Sequence, residues 1–244
     1  MFKEPILIQG LPGLGFIGKI AVDFLIDQLK PTKFAELYSS YIALPDGDIG
    51  VTVELNSTYT LPKYEFFAYT ENKPHLILLT GDTQPRPWGQ YNIAKGVLDF
   101  VEDFGCKTLI ALGGYALQRR DMNAIYAVAS EPETVNDLKG KFDVHPAQSG
   151  MIKGAFGVML GVGKGKNMKC LGLLGATIGS YPDLQAARNV VQLLANLFEL
   201  PINLSDMDKK IEDMEIRVKR FKDISSTYPG RGTQEEGSRQ GYIT

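Results

Sequence analysis

Histidine, cysteine and tryptophan are scarce in this chain of 244 residues, which holds two, two and one of them. His75 and His145 lie far apart in sequence, so a histidine-rich metal site is excluded, although carboxylate sites are not. Cys106 and Cys170 each adjoin an apolar, strand-like run. That context predicts buried free thiols and a cytosolic setting. Positive charge is not in excess: 26 basic residues face 28 acidic ones, so there is no basic reservoir to hold a nucleic-acid backbone. Nor does any apolar run approach the roughly 18 residues that a membrane span needs. The N-terminal apolar stretch reaches polar Gln9 too soon for a signal peptide. The expectation is a cytoplasmic protein with no nucleic-acid or membrane partner.

Catalytic signatures are missing as well. The chain has no G-x-S-x-G elbow, no Walker loop and no H-E-x-x-H. Gly163-Lys164-Gly165-Lys166 is a basic glycine turn without the earlier glycine and the following Ser or Thr of a phosphate loop. Asp82, after a strand, suits a sugar or metal ligand or a simple turn cap. Arg119-Arg120-Asp121 suits an anion clamp, a solvated loop or a subunit contact. His145 precedes Pro146 in an expected loop, with no carboxylate or nucleophile partner apparent in sequence. No catalytic residue, metal site or cofactor is expected.

What the chain does have is apolar patterning: 44% of its residues are hydrophobic, enough for a substantial core. Short continuous apolar runs at Pro5–Gln9, His75–Thr80, Thr108–Leu112 and Cys170–Leu174 each end at glycine and lead toward a helix. Runs of this kind are strands buried on both faces of a parallel sheet. Helical spacing appears at Phe16–Leu29, Trp88–Phe104, Met151–Val162 and Asp183–Leu200. A shorter helix is expected at Glu131–Lys139, capped by Ser130. A short strand is expected at Ala124–Ala129. Residues 34–69 read as an irregular antiparallel region, with Val51, Val53 and Leu55 alternating with polar neighbours. The predicted fold is α/β: a mainly parallel central sheet flanked by helices, an irregular antiparallel sheet region and a C-terminal helix. The expected domains are an α/β domain over 1–204, an amphipathic helix over 205–224 and a flexible tail over 225–244.

Two stretches invite a functional reading. Gly13, Gly15 and Gly18 match G-x-G-x-x-G, in which glycines and a helix N-terminus receive pyrophosphate and an acidic residue about 20 positions on holds the ribose. Glu36 has nearly that spacing. Against it, Pro12 removes an amide donor from the turn and Glu36 falls mid-strand. A turn that packs helix on sheet is preferred, and a nucleotide- or nucleoside-binding enzyme is the alternative. At the other end, Met207, Ile211, Met214, Val218 and Phe221 form a two-heptad seam. It serves either packing within the domain or an interchain contact. The tail beyond it has little to bury, apart from Tyr242 and Ile243 ahead of the terminal Thr244.

Four blocks resemble the proteasome assembly chaperone family, the group related to the second eukaryotic assembly chaperone and including archaeal members. They are Gln9–Gly18; Gly81-Asp82-Thr83-Gln84-Pro85 with Trp88 and Tyr91; Gly150–Gly154 with Gly157; and Gly175–Asp183 with Ala186-Ala187. The resemblance implies a nucleoside-phosphorylase-like fold without catalysis, homo- or hetero-oligomers, and binding to proteasome α subunits or a sister chaperone. It also implies a C-terminal hydrophobic–tyrosine–any-residue docking signal. Here Tyr242 is third from the end and follows Gly241, so Tyr242, Ile243 and Thr244 are the partner-binding candidates in altered form.

Overall fold

The computed structural model describes residues 2–117, 123–179 and 181–214. The chain divides into two compact units, Met1–Leu204 and Ser205–Thr244. In the second, residues 205–214 are helical.

The first unit opens with β1 (Ile6–Gly10), a glycine turn and α1 (Ile17–Leu29), followed by β2 (Thr32–Leu37). A long excursion then carries only the two-residue strands β3 (Thr52–Val53) and β4 (Tyr59–Thr60), and the chain returns through β5 (Tyr64–Tyr69). Next come β6 (Leu76–Gly81), α2 (Gln90–Glu102), β7 (Thr108–Ala116), β8 (Ile125–Ala129), α3 (Pro132–Lys141) and β9 (Val144–Pro146). Helix α4 (Gly154–Gly165), β10 (Lys169–Thr177) and α5 (Leu184–Phe198) complete the unit.

Eight strands form one sheet in the order β2-β5-β6-β1-β7-β10-β8-β9, while β3 and β4 pair separately. The central four, β6, β1, β7 and β10, run parallel. These are the four continuous apolar runs of the sequence. Burial on both faces explains their composition, because neither side of such a strand meets water. Helices α1 and α5 pack together over one face, and α2 and α4 over the other. In α5, Ala187, Val190, Val191 and Leu194 are buried, the i, i+3, i+4, i+7 stripe of a helix lying on a sheet. Near the β2 edge, Phe34, Phe66, Phe100 and Phe104 pack ring against ring with Phe2. The fold is therefore the expected mainly parallel α/β sheet with an irregular antiparallel region.

Several local expectations are corrected. Strand β7 does not stop at Gly113-Gly114 but continues beside β10 to Ala116. Ser130 does not cap α3: no side chain caps that helix, and the Ser130 hydroxyl instead accepts the Cys170 N–H at 3.1 Å. His145 lies not in a loop but in β9, the edge strand beside β8. Its ring approaches Tyr126 and its Nε2 lies 3.7 Å from Asp143. Edge position is what lets Pro146 sit in a strand, since its missing N–H faces no neighbour. Helix α4 begins at Gly154 rather than Met151, and β2 ends at Leu37, so Glu36 lies next to the strand's end rather than mid-strand.

Candidate functional site

All four family-like blocks converge at the end of the sheet where the interior strands β1, β6 and β10 terminate. The glycine turn is built first. Gly10 ends β1 and Gly18 begins the helix above it. A Cβ on Gly18 would stand 2.3 Å from the Leu112 carbonyl oxygen, and one on Gly10 would stand 2.0 Å from that of Gly18. Both positions therefore admit only hydrogen, and this contact seats α1 on β1 and β7. Between them Gly15 and Phe16 adopt left-handed backbone angles, with φ of 62° and 54°. Glycine tolerates that conformation freely; phenylalanine tolerates it only when its surroundings impose it.

The second and third blocks meet the turn through Gln84. Its Nε2 donates to the Pro12 carbonyl at 2.7 Å, and its Oε1 accepts the Ala155 N–H at 3.2 Å. One side-chain amide thus ties the glycine turn to the first turn of α4, where Gly154 has a φ of 77°. The fourth block meets it through Asp183. The Asp183 N–H donates to the Gly15 carbonyl at 2.8 Å. The Asp183 carboxylate caps α5 by accepting the Ala186 N–H at 3.0 Å and also accepts the Thr177 hydroxyl at 2.7 Å. Gln9 is 99% enclosed, and its Oε1 has no hydrogen-bond partner. Below the junction, Thr80 donates to Asp23 at 2.7 Å and accepts from Lys19 at 3.3 Å.

The loops that follow these strands expose large apolar side chains. Leu14 and Phe16 after β1, Trp88 and Tyr91 after β6, and Ile178 and Tyr181 after β10 are all exposed. Leu14 is held in place by its fit against Gly114 and Gly179. Exposed apolar side chains gathered into a contiguous patch mark an interaction site more often than a solvent-facing one.

The remaining candidates are dispersed. Glu36 sits on the edge strand β2, separated from β1 by β5 and β6, too far to reach a ribose at the glycine turn. Instead its carboxylate accepts from Lys33 at 2.7 Å, Lys63 at 2.6 Å and the Tyr38 hydroxyl at 2.6 Å. These hydrogen bonds, that from Lys33 first, hold it down to about 2. Because the folded value lies below the ordinary carboxylate range, the network's contribution is present above that range and fades as pH falls toward 2. Asp82 does not cap its turn; it is exposed and lies 3.4 Å from the Lys63 N–H. Lys166 pairs with Asp99 and Glu102 of α2, each at 2.8 Å, which accounts for the basic turn as an anchor between α4 and α2. A groove of about 270 Å³ opens at the opposite end of the sheet, lined by Ile6, Thr108, Leu138, Lys141 and Phe198 among others. It contains no residue of the glycine turn. Among the described residues no cluster of His, Cys, Asp and Glu could hold a metal ion, and no helix is long and apolar enough to cross a membrane.

Of the seam, Met207, Ile211 and Met214 fall within the helical residues 205–214, and Met214 is exposed. Val218, Phe221, Arg119-Arg120-Asp121 and the terminal Tyr242, Ile243 and Thr244 lie outside the described residues. Sequence reasoning missed Gln84 as the bridge between blocks. A glutamine one residue before Pro85 carries no periodic signal. The only available clue is that it belongs to a block of otherwise turn-forming residues.

The four blocks thus form one hydrogen-bonded junction at the end of the α/β sheet. The PAC2 family model matches residues 7–222, and the chain belongs to that family. Pyrococcus furiosus PbaB, described as an archaeal proteasome activator, is 31% identical in a structure-based comparison covering 91% of this chain and 94% of that one, with a TM-score of 0.83. P. furiosus PbaA, described as an archaeal homolog of proteasome-assembly chaperone, shares the fold at 24% identity, with coverage of 93% and 90% and a TM-score of 0.77. The uncharacterized protein MJ1210 of Methanocaldococcus jannaschii is 30% identical over 80% of this chain and 74% of its own length.

Proposed function

We propose that this chain is a non-enzymatic, chaperone-like protein of proteasome assembly or activation. It acts as a homo-oligomer that binds proteasome α subunits or a sister chaperone. The observation that carries this reading is the near-full-length likeness to PbaB at 31% identity. The site supports it: the sheet end that would hold a substrate in an enzyme of this topology is crossed by the Gln84 and Asp183 hydrogen bonds, and the loops there expose large apolar side chains.

In this reading the α/β unit is the rigid head, and residues 205–224 and 225–244 form a helix and a tail that reach the partner. Tyr242, Ile243 and Thr244 are the docking residues, and the Met207–Phe221 seam contributes an interchain contact. Each tail binds weakly, and several tails on one oligomer supply avidity. The test is binding of the full-length purified protein to archaeal 20S proteasome by interferometry. Saturable binding is expected, as is a flat thermal-shift response to NAD, nucleosides and phosphate. No proteasome binding together with a clear nucleoside shift would replace this reading with a small-molecule one.

A further inference from the structure

The excursion between β2 and β5 carries an uncovered surface. No side chain of residues 45–61 is buried. Within it Thr52 pairs with Thr60 and Val53 with Tyr59, antiparallel, and the Glu54 N–H donates to the Thr58 carbonyl at 2.8 Å. Cross-strand partners share a face and neighbours alternate. One face of the hairpin is therefore Val51, Val53, Tyr59 and Leu61, and the other is Thr52, Glu54, Thr58 and Thr60. The polar face is tied by the Thr60 hydroxyl donating to Glu54 at 3.2 Å. The apolar face is open: Val53 is 70% and Tyr59 74% exposed, and Leu55 at the tip is fully exposed. The base is fixed to the body, since Arg86 donates to the Gly47 carbonyl at 2.6 Å and Thr83 to the Ala43 carbonyl at 2.9 Å. A two-stranded hairpin alone is marginal in water, so an amphipathic one held out from the body implies a cover for its apolar side.

We infer that the apolar face of the β3–β4 hairpin is a homotypic contact, covered by the same face of a second copy of this chain. With Ile49 and Leu55 included, the six apolar residues expose on the order of 800 Å², one partner's share of a standard protein interface. The face bears no ionisable group other than the Tyr59 phenol. Apposed about a two-fold axis it meets itself without like charges, as an isologous contact requires. Glu54 lies on the opposite face, and Asp46 and Asp48 lie in the turn before β3. A foreign partner is normally selected and set in register by charges at the contact, and here the contact face offers none. The inference deepens the oligomeric part of the proposed function and rests on it.

The test uses the full chain. Multi-angle scattering and sedimentation of wild type are expected to show a multimer. Val53→Asp should weaken association about tenfold or more, since a carboxylate would then be desolvated in the seam, while Thr52→Asp on the polar face should leave it unchanged. Because Cys106 and Cys170 are buried, Val53→Cys and Tyr59→Cys provide a readout independent of loss of fold. Under mild oxidation at least one should give a disulfide-linked dimer, and Thr52→Cys should not. A monomeric wild type would overturn both the inference and the oligomeric reading. A multimer that survives Val53→Asp and yields no cross-link at either position would overturn the inference alone. Cross-linking of Tyr59→Cys to an added proteasome subunit, without a self-linked dimer, would assign the face to a foreign partner and also overturn it.

Discussion

Two glycines in this chain should respond oppositely to the same substitution. Gly18→Ala places a methyl 2.3 Å from the Leu112 carbonyl oxygen, a backbone atom that cannot swing aside. The helix must lift, and the loss should reach at least the 1–3 kcal/mol typical of overpacking. Gly96, exposed in the middle of α2, meets nothing within 4 Å. There Gly96→Ala should raise stability by about 0.5–1 kcal/mol through helix propensity alone. Denaturant unfolding of both variants measures the contrast, and equal effects would contradict the packing role of the turn. The cysteines give a chemical prediction at the same scale. Burial pushes the Cys170 thiol up to about 11 and raises that of Cys106. A disulfide-exchange reagent at pH 8 should leave both unreacted in the folded protein and modify both in denaturant, because the thiolate is the nucleophile. Rapid reaction of either without denaturant would contradict the burial described.

Among the elements, the best-read were those whose pattern follows from burial within this chain. Strands β1, β6, β7 and β10 are apolar runs because both faces are covered. Helices α1, α2 and α5 carry stripes because one side is. Pattern and structure part where a residue answers to something distant in the chain. Gly113-Gly114 looked like a strand end, yet the pair lies inside β7 because Leu14 and Phe156 press close and leave no room for side chains. Pro146 looked like a loop marker, yet it ends an edge strand. The alternation of Val51, Val53 and Leu55 was visible in sequence, but nothing in one chain's sequence shows that the apolar side of the hairpin stays bare. The hairpin offers an element-scale prediction. Residues 45–61 bury no side chain within their own chain, so replacing 51–61 with a short Gly-Ser connector should keep unfolding cooperative and leave the melting temperature within about 2 °C of that of the dissociated wild-type chain, any further drop from the wild-type multimer reflecting the lost contact between copies. Calorimetry checks this, and a large drop below the dissociated chain would mean that the hairpin supports the sheet.

For the whole molecule, the scaffold was legible in sequence and the junction only in part. The four blocks were recognisable as separate stretches. That they meet depends on the order β6-β1-β7-β10 and on the reach of Gln84 and Asp183, neither of which spacing encodes. At this scale the prediction concerns division of labour. Deleting residues 240–244 should weaken binding to the proteasome about tenfold or more, by loss of multivalent docking, and leave the melting temperature unchanged. Interferometry and calorimetry on one preparation check both halves, and undiminished binding would remove the tail from the proposed function.

The contact of Gly10 and Gly18 with Leu112 has a consequence for reading glycine spacing. A strand that turns into a helix lying back across it brings two residues, eight apart, to one point of closest approach, and selection against any side chain there can maintain glycines with no cofactor involved. Gly18 belongs both to that pair and to the Gly13, Gly15 and Gly18 fingerprint, so close packing alone accounts for one glycine of the fingerprint. In this chain the neighbouring loops are tied to the turn by Gln84 at the Pro12 carbonyl and by Asp183 at the Gly15 carbonyl.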